Sequence, residues 1–279
     1  MSRRMTAGAL GALACFLIFL SGCGSRGPSN DPAAVDFQPP EKLSAYQLFV
    51  GDGSTQEPAS GVVPYDLNSP LFSDYSTKYR FVKLPQGAVA KYEDQDAFDF
   101  PVGTIIAKTF SYLHDLRDAS KGQRLIETRL LIHRPEGWVG LPYRWNKEQN
   151  EAILDVAGDT VDVEWIHTDG KTRTVNYIVP NSNQCKSCHE NDKKMGPIGP
   201  KARNLNKDFA YRSGTENQLV HWSKSGILAG APDPAQAPKL ADAADPKSGS
   251  LDDRARAWLE INCAHCHNPK GPRRPRVWT

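Results

Sequence analysis

Two segments of the chain place a histidine directly after a cysteine pair: Cys185-Lys186-Ser187-Cys188-His189 and Cys263-Ala264-His265-Cys266-His267. Cysteines three positions apart lie on one side of a helical turn, so both thiols can add to the two vinyl groups of one haem. The next histidine then projects over the same haem face and ligates the iron. With 7 histidines in 279 residues, chance puts one after both pairs about once in 1,600. A four-cysteine zinc site competes for the same thiols, but its pairs usually stand ~15–20 residues apart, whereas 74 residues separate these. Zinc also leaves the trailing histidines unused. A thioredoxin-like pair needs a βαβ setting that the Pro- and Asn-rich flanks do not supply, and two disulfides again ignore the histidines. The expected cofactor is haem c, bound covalently through Cys185, Cys188, Cys263 and Cys266, with His189 and His267 as proximal iron ligands. For the distal side of the first haem, His221 is preferred because it falls on an expected helix, 216–228, beside Leu219 and Trp222. Met195 is the second choice: it lies six residues beyond His189, and the chain between them must leave one haem face and return to the other.

The elements that must carry these motifs are of two kinds. From Leu43 to Pro180 apolar residues recur at period two, which predicts strands over Tyr79–Leu84, Thr104–Leu113, Leu125–His133, Trp138–Trp145, Val161–His167 and Thr172–Val179. In the last pair, Val161, Val163, Trp165, Val175, Tyr177 and Val179 are all odd-numbered. A two-residue loop would pair odd with even, so the shared face requires an odd loop, such as three residues with Gly170 left-handed. His114, His133 and His167 sit singly on these strands and read as structural or solvated. Beyond Asn181 the pattern changes. Ser250-Leu251-Asp252-Asp253 opens a helix whose Ala255, Leu259 and Cys263 are four apart, and Ala229–Gly249 is a Pro- and Ala-rich connection. The expected fold class is α+β: an N-terminal antiparallel β-sandwich or barrel over 41–180, then a mainly α-helical c-type cytochrome region over 181–279.

The N-terminus predicts the compartment. Arg3 and Arg4 precede an apolar stretch from Met5 to Leu20, which as helix spans ~24 Å, short of a ~30 Å hydrocarbon core. Small residues follow, the pattern of an export signal over 1–22. Leu20-Ser21-Gly22-Cys23 resembles the lipobox of bacterial lipoproteins, which implies that Cys23 becomes the lipidated first residue. Gly24 in place of the inner-membrane retention residue implies the outer membrane, facing the periplasm. Residues 23–40, with Pro28, Pro32, Pro39 and Pro40, read as a tether. Without Arg3 and Arg4 the chain has as many basic as acidic residues, 32 of each. It therefore carries no polybasic footprint for nucleic acid.

Gly199–Asn206, Asn217-Gln218-Leu219 and Asn262–Pro269, together with the β-rich N-terminal part, resemble a family of bacterial dihaem c-type cytochrome lipoproteins over about residues 40–271. The resemblance implies redox work at the cell envelope with a redox partner protein there. Members are often encoded beside a parallel β-helix repeat protein, which is the partner the resemblance suggests. The Arg/Pro-rich stretch Gly271–Thr279 departs from it, having neither apolar period nor caps. The expectation is a truncated or frameshifted end that leaves the second haem unit incomplete. Two main functions follow: an electron-transfer cytochrome, or a dihaem peroxidase-type enzyme in which one iron keeps an open position. A lipid-anchored binding module with structural haem is a third.

Overall fold

Alternating side chains between Val62 and Leu154 build one antiparallel sheet in the computed structural model, which describes residues 37–268. In chain order the strands are β1 (Val62–Tyr65), β2 (Thr77–Lys83), the short β3 (Ala90–Lys91), β4 (Ile105–Leu113), β5 (Gln123–Arg134), β6 (Gly137–Trp145) and β7 (Ala152–Leu154). The large sheet runs β1-β2-β4-β5-β6-β7. A separate hairpin follows, β8 (Asp159–Ile166) and β9 (Thr172–Val179). Its register pairs Val163 with Val175 and Val161 with Tyr177. His167 closes on Lys171 around Thr168-Asp169-Gly170, with Gly170 at φ 77°. This is the odd loop that face matching requires.

Register fixes which side chains share a face, because residues directly opposite one another point to the same side. On one face Val82, Ile106, Leu131 and Gly140 form a row. Arg80, Lys108 and Arg129 form the next, and Lys78, Phe110 and Glu127 the one after. The first row joins an apolar cluster with Phe98, Leu205 and Trp222. Phe110 joins a second cluster in which the β8–β9 hairpin supplies Val163, Trp165, Tyr177 and Val179. The opposite face is covered by the segment before β1, where Phe49 meets Phe81 and Tyr46 meets Tyr143 edge to face.

The rest of the chain contains α1 (Ser182–His189), β10 (Glu190–Asn191), β11 (Lys194–Met195), α2 (Ala202–Leu205), β12 (Asp208–Tyr211), β13 (Gly214–Asn217), α3 (Gln218–Lys224), β14 (Leu228–Ala229) and α4 (Leu251–Leu259). This corrects the expected fold. Strand accounts for 35% of the structure against 17% helix, and among the described residues there is no mainly α-helical cytochrome region. The N-terminal part is an open six-stranded sheet with a hairpin on it rather than a sandwich or barrel. The helix expected over 216–228 is confined to Gln218–Lys224, ended by the turn at Gly226 with φ 75°.

Buried amides do the work that helices were expected to do. Asn206 Nδ2 donates to the carbonyls of Pro234 and Ala237, and Gln218 Nε2 donates to those of Asp66 and Leu205. Each such bond is worth roughly 1 kcal/mol net, and breaking one leaves a buried carbonyl unpaired. From Pro40 onward the chain forms one compact unit. The first cluster draws on both sides of residue 180, with Trp222 edge to face against Tyr65. No helix among the described residues is long and apolar enough to cross a membrane. The lipobox with Cys23, most of the tether and the Arg/Pro-rich end lie outside the described residues.

Candidate functional site

The first cysteine pair rides on α1, which a reciprocal cap starts. The Asn181 side chain accepts from the Gln184 backbone N–H, and Gln184 Oε1 accepts from the Asn181 N–H. Such a cap is worth ~1 kcal/mol. The helix lies on β6, and the contact is close because residue 140 is glycine. A Cβ there would meet Met195 Cε at 2.9 Å, Cys185 Cβ at 3.0 Å and Cys185 Sγ at 3.3 Å. Cys185 is half-buried and Cys188 exposed, and none of Cys185, Cys188, Cys263 and Cys266 is in a disulfide. Burial raises the Cys185 thiol pKa, with Arg129 pulling the other way.

Immediately after α1 the chain reverses. Glu190 pairs with Met195 and Asn191 with Lys194, around Asp192 and Lys193 at φ 49° and 61°, the positive values a tight hairpin turn demands. The reversal brings the Gly196 carbonyl to 2.9 Å from His189 Nδ1. A carbonyl only accepts, so Nδ1 carries the proton and Nε2 is left with its lone pair, the state of a metal-ligating imidazole. His189 keeps some exposed surface, yet the atoms packed round its ring push its pKa down to about 4. The Gly196 bond opposes that shift, and the charges of Lys108 and Arg129 add to it. The ring is therefore neutral at physiological pH.

The second pair follows α4. Ser250 and Asp253 cap that helix reciprocally, and it runs on into a π-helical turn, Glu260–Ala264. Ile261 is buried, Glu260 meets Lys201 and Arg203 on its Oε1, and Asn262 Oδ1 accepts from the Phe72 N–H. These contacts carry the second motif back to the first. Donor atoms of Cys188, His265 and Cys266 all lie within 4.8 Å of one another. His267 is exposed. His265 is the residue that the sequence reading missed as a participant; its only signal was a histidine inside the second Cys-x-x-Cys pair.

The distal candidates part company. Met195, on β11, packs with Cys185 against Gly140, in the hairpin that directly follows His189. His221 on α3 stacks on Tyr211 at 3.5 Å between ring centroids, with Nδ1 3.3 Å from Glu216 Oε2. Of the other histidines, His133 stacks on Trp138 and bonds the Phe100 carbonyl, a structural role.

The donor set fits a covalently held haem in two respects: the Cys185 and Cys188 thiols are free on one helix, and the Gly196 carbonyl leaves the His189 lone pair on Nε2. No family model, curated protein or solved structure matches the chain.

Proposed function

We propose that this chain is a dihaem c-type cytochrome that carries electrons in the bacterial cell envelope, tethered to the membrane through a lipidated Cys23. The observation that carries the reading is the bond between His189 Nδ1 and the Gly196 carbonyl. It fixes the tautomer, with the lone pair on Nε2, in the histidine that directly follows the two thiols of α1. Haem supplies a one-electron couple when bound. The chain's own part is to hold it through Cys185 and Cys188, orient His189, and bring the second motif, with Cys263, Cys266 and His267, alongside. That juxtaposition supports electron exchange between two neighbouring haems. Expression with a cytochrome c maturation system, followed by haem staining of a denaturing gel, tests the reading. A band that survives boiling and is lost in Cys185→Ala/Cys188→Ala/Cys263→Ala/Cys266→Ala supports it; a colourless chain overturns it.

One observation favours a second reading. Cys188, His265 and Cys266 converge from both motifs, and three S/N donors at that spacing need only a small contraction to meet zinc. The separation of 74 residues that argues against zinc in the sequence is closed by the fold. One equivalent of zinc in a haem-free chain, lost in His265→Ala, would select this reading.

A further inference from the structure

The row of side chains next to the first motif is cationic. Arg80 pairs with Lys108 across β2–β4, and Lys108 pairs with Arg129 across β4–β5, so three positive residues stand side by side on one sheet face. Opposite neighbours in such a ladder stand ~4.5–5.5 Å apart, and like charges there repel. Two members are answered in part. Arg129 makes a two-pronged pair with the buried Glu127, and Arg80 Nη1 bonds Asp66 at 2.6 Å. Arg80 is 4% exposed, however, and its buried Nη2 has no partner. Among the described residues the Lys108 ammonium has neither an ion pair nor a hydrogen bond and lies over the Phe110 ring, at 4.7 Å. Burial and the neighbouring Arg80 and Arg129 push the Lys108 pKa well down. A cation row kept inside a fold at this cost calls for an anion.

The ladder also stands where the first motif meets the sheet. Gly140, the seat of Cys185, lies opposite Leu131, two residues along from Arg129 and on the same face, or about 7 Å away. The charge of Lys108 reaches both His189 and His265. We propose that Lys108 and the unpaired edge of Arg80 bind the propionate carboxylates of the haem attached at Cys185 and Cys188. This rests on the haem reading of that motif. The haem brings two carboxylates, and the row offers two unanswered cationic donors. Charge-assisted pairs of this kind are the strong ones, and Arg matches a carboxylate in two-pronged fashion.

The test uses the full chain matured with haem, in wild type, Lys108→Met, Lys108→Arg and Arg80→Gln, with Lys91→Met on the exposed short strand as a control for charge alone. Haem staining reports the underlying reading; resonance Raman propionate bending bands and the midpoint potential report the contact. Lys108→Met should keep the stained band, shift a propionate band and move the potential lower, because a nearby cation favours the reduced iron. Lys108→Arg should restore both, and Lys91→Met should change neither. A stained Lys108→Met with propionate bands and potential as in wild type overturns the ladder assignment while leaving the haem reading intact. The same readouts on Arg80→Gln keep the question decidable if Lys108→Met fails to fold. An unstained wild type overturns the haem reading and the ladder assignment with it.

Discussion

The Cys266 thiol points to the backbone carbonyl oxygen of Ser187, 3.8 Å away, although 79 positions separate the two in the chain. Two Cys-x-x-Cys-His motifs that the sequence keeps far apart thus share one surface. Haems attached there would be neighbours, and oxidising one would raise the potential of the other through the charge it adds. We expect a pyridine haemochrome count of two per chain and a titration with two overlapping waves. In Cys263→Ala/Cys266→Ala the count should fall to one and the remaining wave should move. An unmoved first wave would mean that the motifs do not communicate.

Gly140 is needed for space rather than for backbone freedom, since its φ is not positive. In Gly140→Ala the new methyl meets the rigid Cβ of Cys185 at 3.0 Å and the tip of Met195 at 2.9 Å. Overpacking of this kind costs about 1–3 kcal/mol, or roughly 2–4 °C of Tm per kcal/mol at this size. Haem attachment should fall as well, because α1 is lifted from β6. Adding Met195→Ala should recover part of the loss and no more, as the contact with Cys185 persists. Full recovery would place the whole strain on Met195.

Lys78 and Lys108 make the haem-free chain sensitive to pH above neutrality. Burial and Arg80 bring Lys78 down to about 8 from 10.5, and Lys108 shifts the same way. Between the two values the unfolded chain binds more protons than the folded one, so stability rises with pH there and is lost as pH falls from 10.5 towards 8. Lys108→Met removes part of that penalty. Its haem-free Tm at pH 7 should exceed wild type by ~3 °C, about 1 kcal/mol, and its stability should depend less steeply on pH in this window. An equal or lower Tm would show that the ammonium is not under strain.

Much of the sheet was legible because period two and turn chemistry are local. The parity of Val161, Val163, Val175 and Tyr177 sufficed to choose the loop around Gly170, and Ser250 with Asp253 marked the start of α4. What local pattern does not carry is register. Arg80, Lys108 and Arg129 look like scattered strand cations until β2, β4 and β5 are aligned. The stretch 216–249 reads as helix and linker because its order comes from side chains such as Asn206 and Gln218 bonding remote carbonyls, which leaves no periodic trace. The motifs themselves were plain, while their meeting depends on Glu260, Asn262 and Ile261 finding partners far away in the chain.

Lipidation at Cys23 predicts that the chain fractionates with membranes although no described helix can span one. Two or more acyl chains hold stably where one does not. Cys23→Ser should move the protein to the soluble periplasmic fraction with its haem content unchanged. A variant that remains in the membrane pellet would assign the attachment to something other than this cysteine.

The sixth ligand of the first haem should be His221 and not Met195. Met195 is paired to Glu190, the residue next to His189, and the Gly196 N–H donates to the His189 carbonyl. The sulfur is therefore tied into the short hairpin that directly follows His189. His221 has the support that a ligating imidazole requires: Glu216 beside Nδ1 leaves Nε2 free, and the Tyr211 stack fixes the ring plane. The ferric protein should lack the sulfur-to-iron band near ~695 nm and have the lower potential of bis-histidine ligation. Met195→Ala should keep the low-spin spectrum and lose only packing against Gly140, at about 1–3 kcal/mol. His221→Ala should turn the haem high-spin, and Glu216→Gln should shift its potential while leaving it six-coordinate. A ~695 nm band in wild type that disappears in Met195→Ala would put the sulfur on the iron and require the β10–β11 hairpin to open when haem is attached.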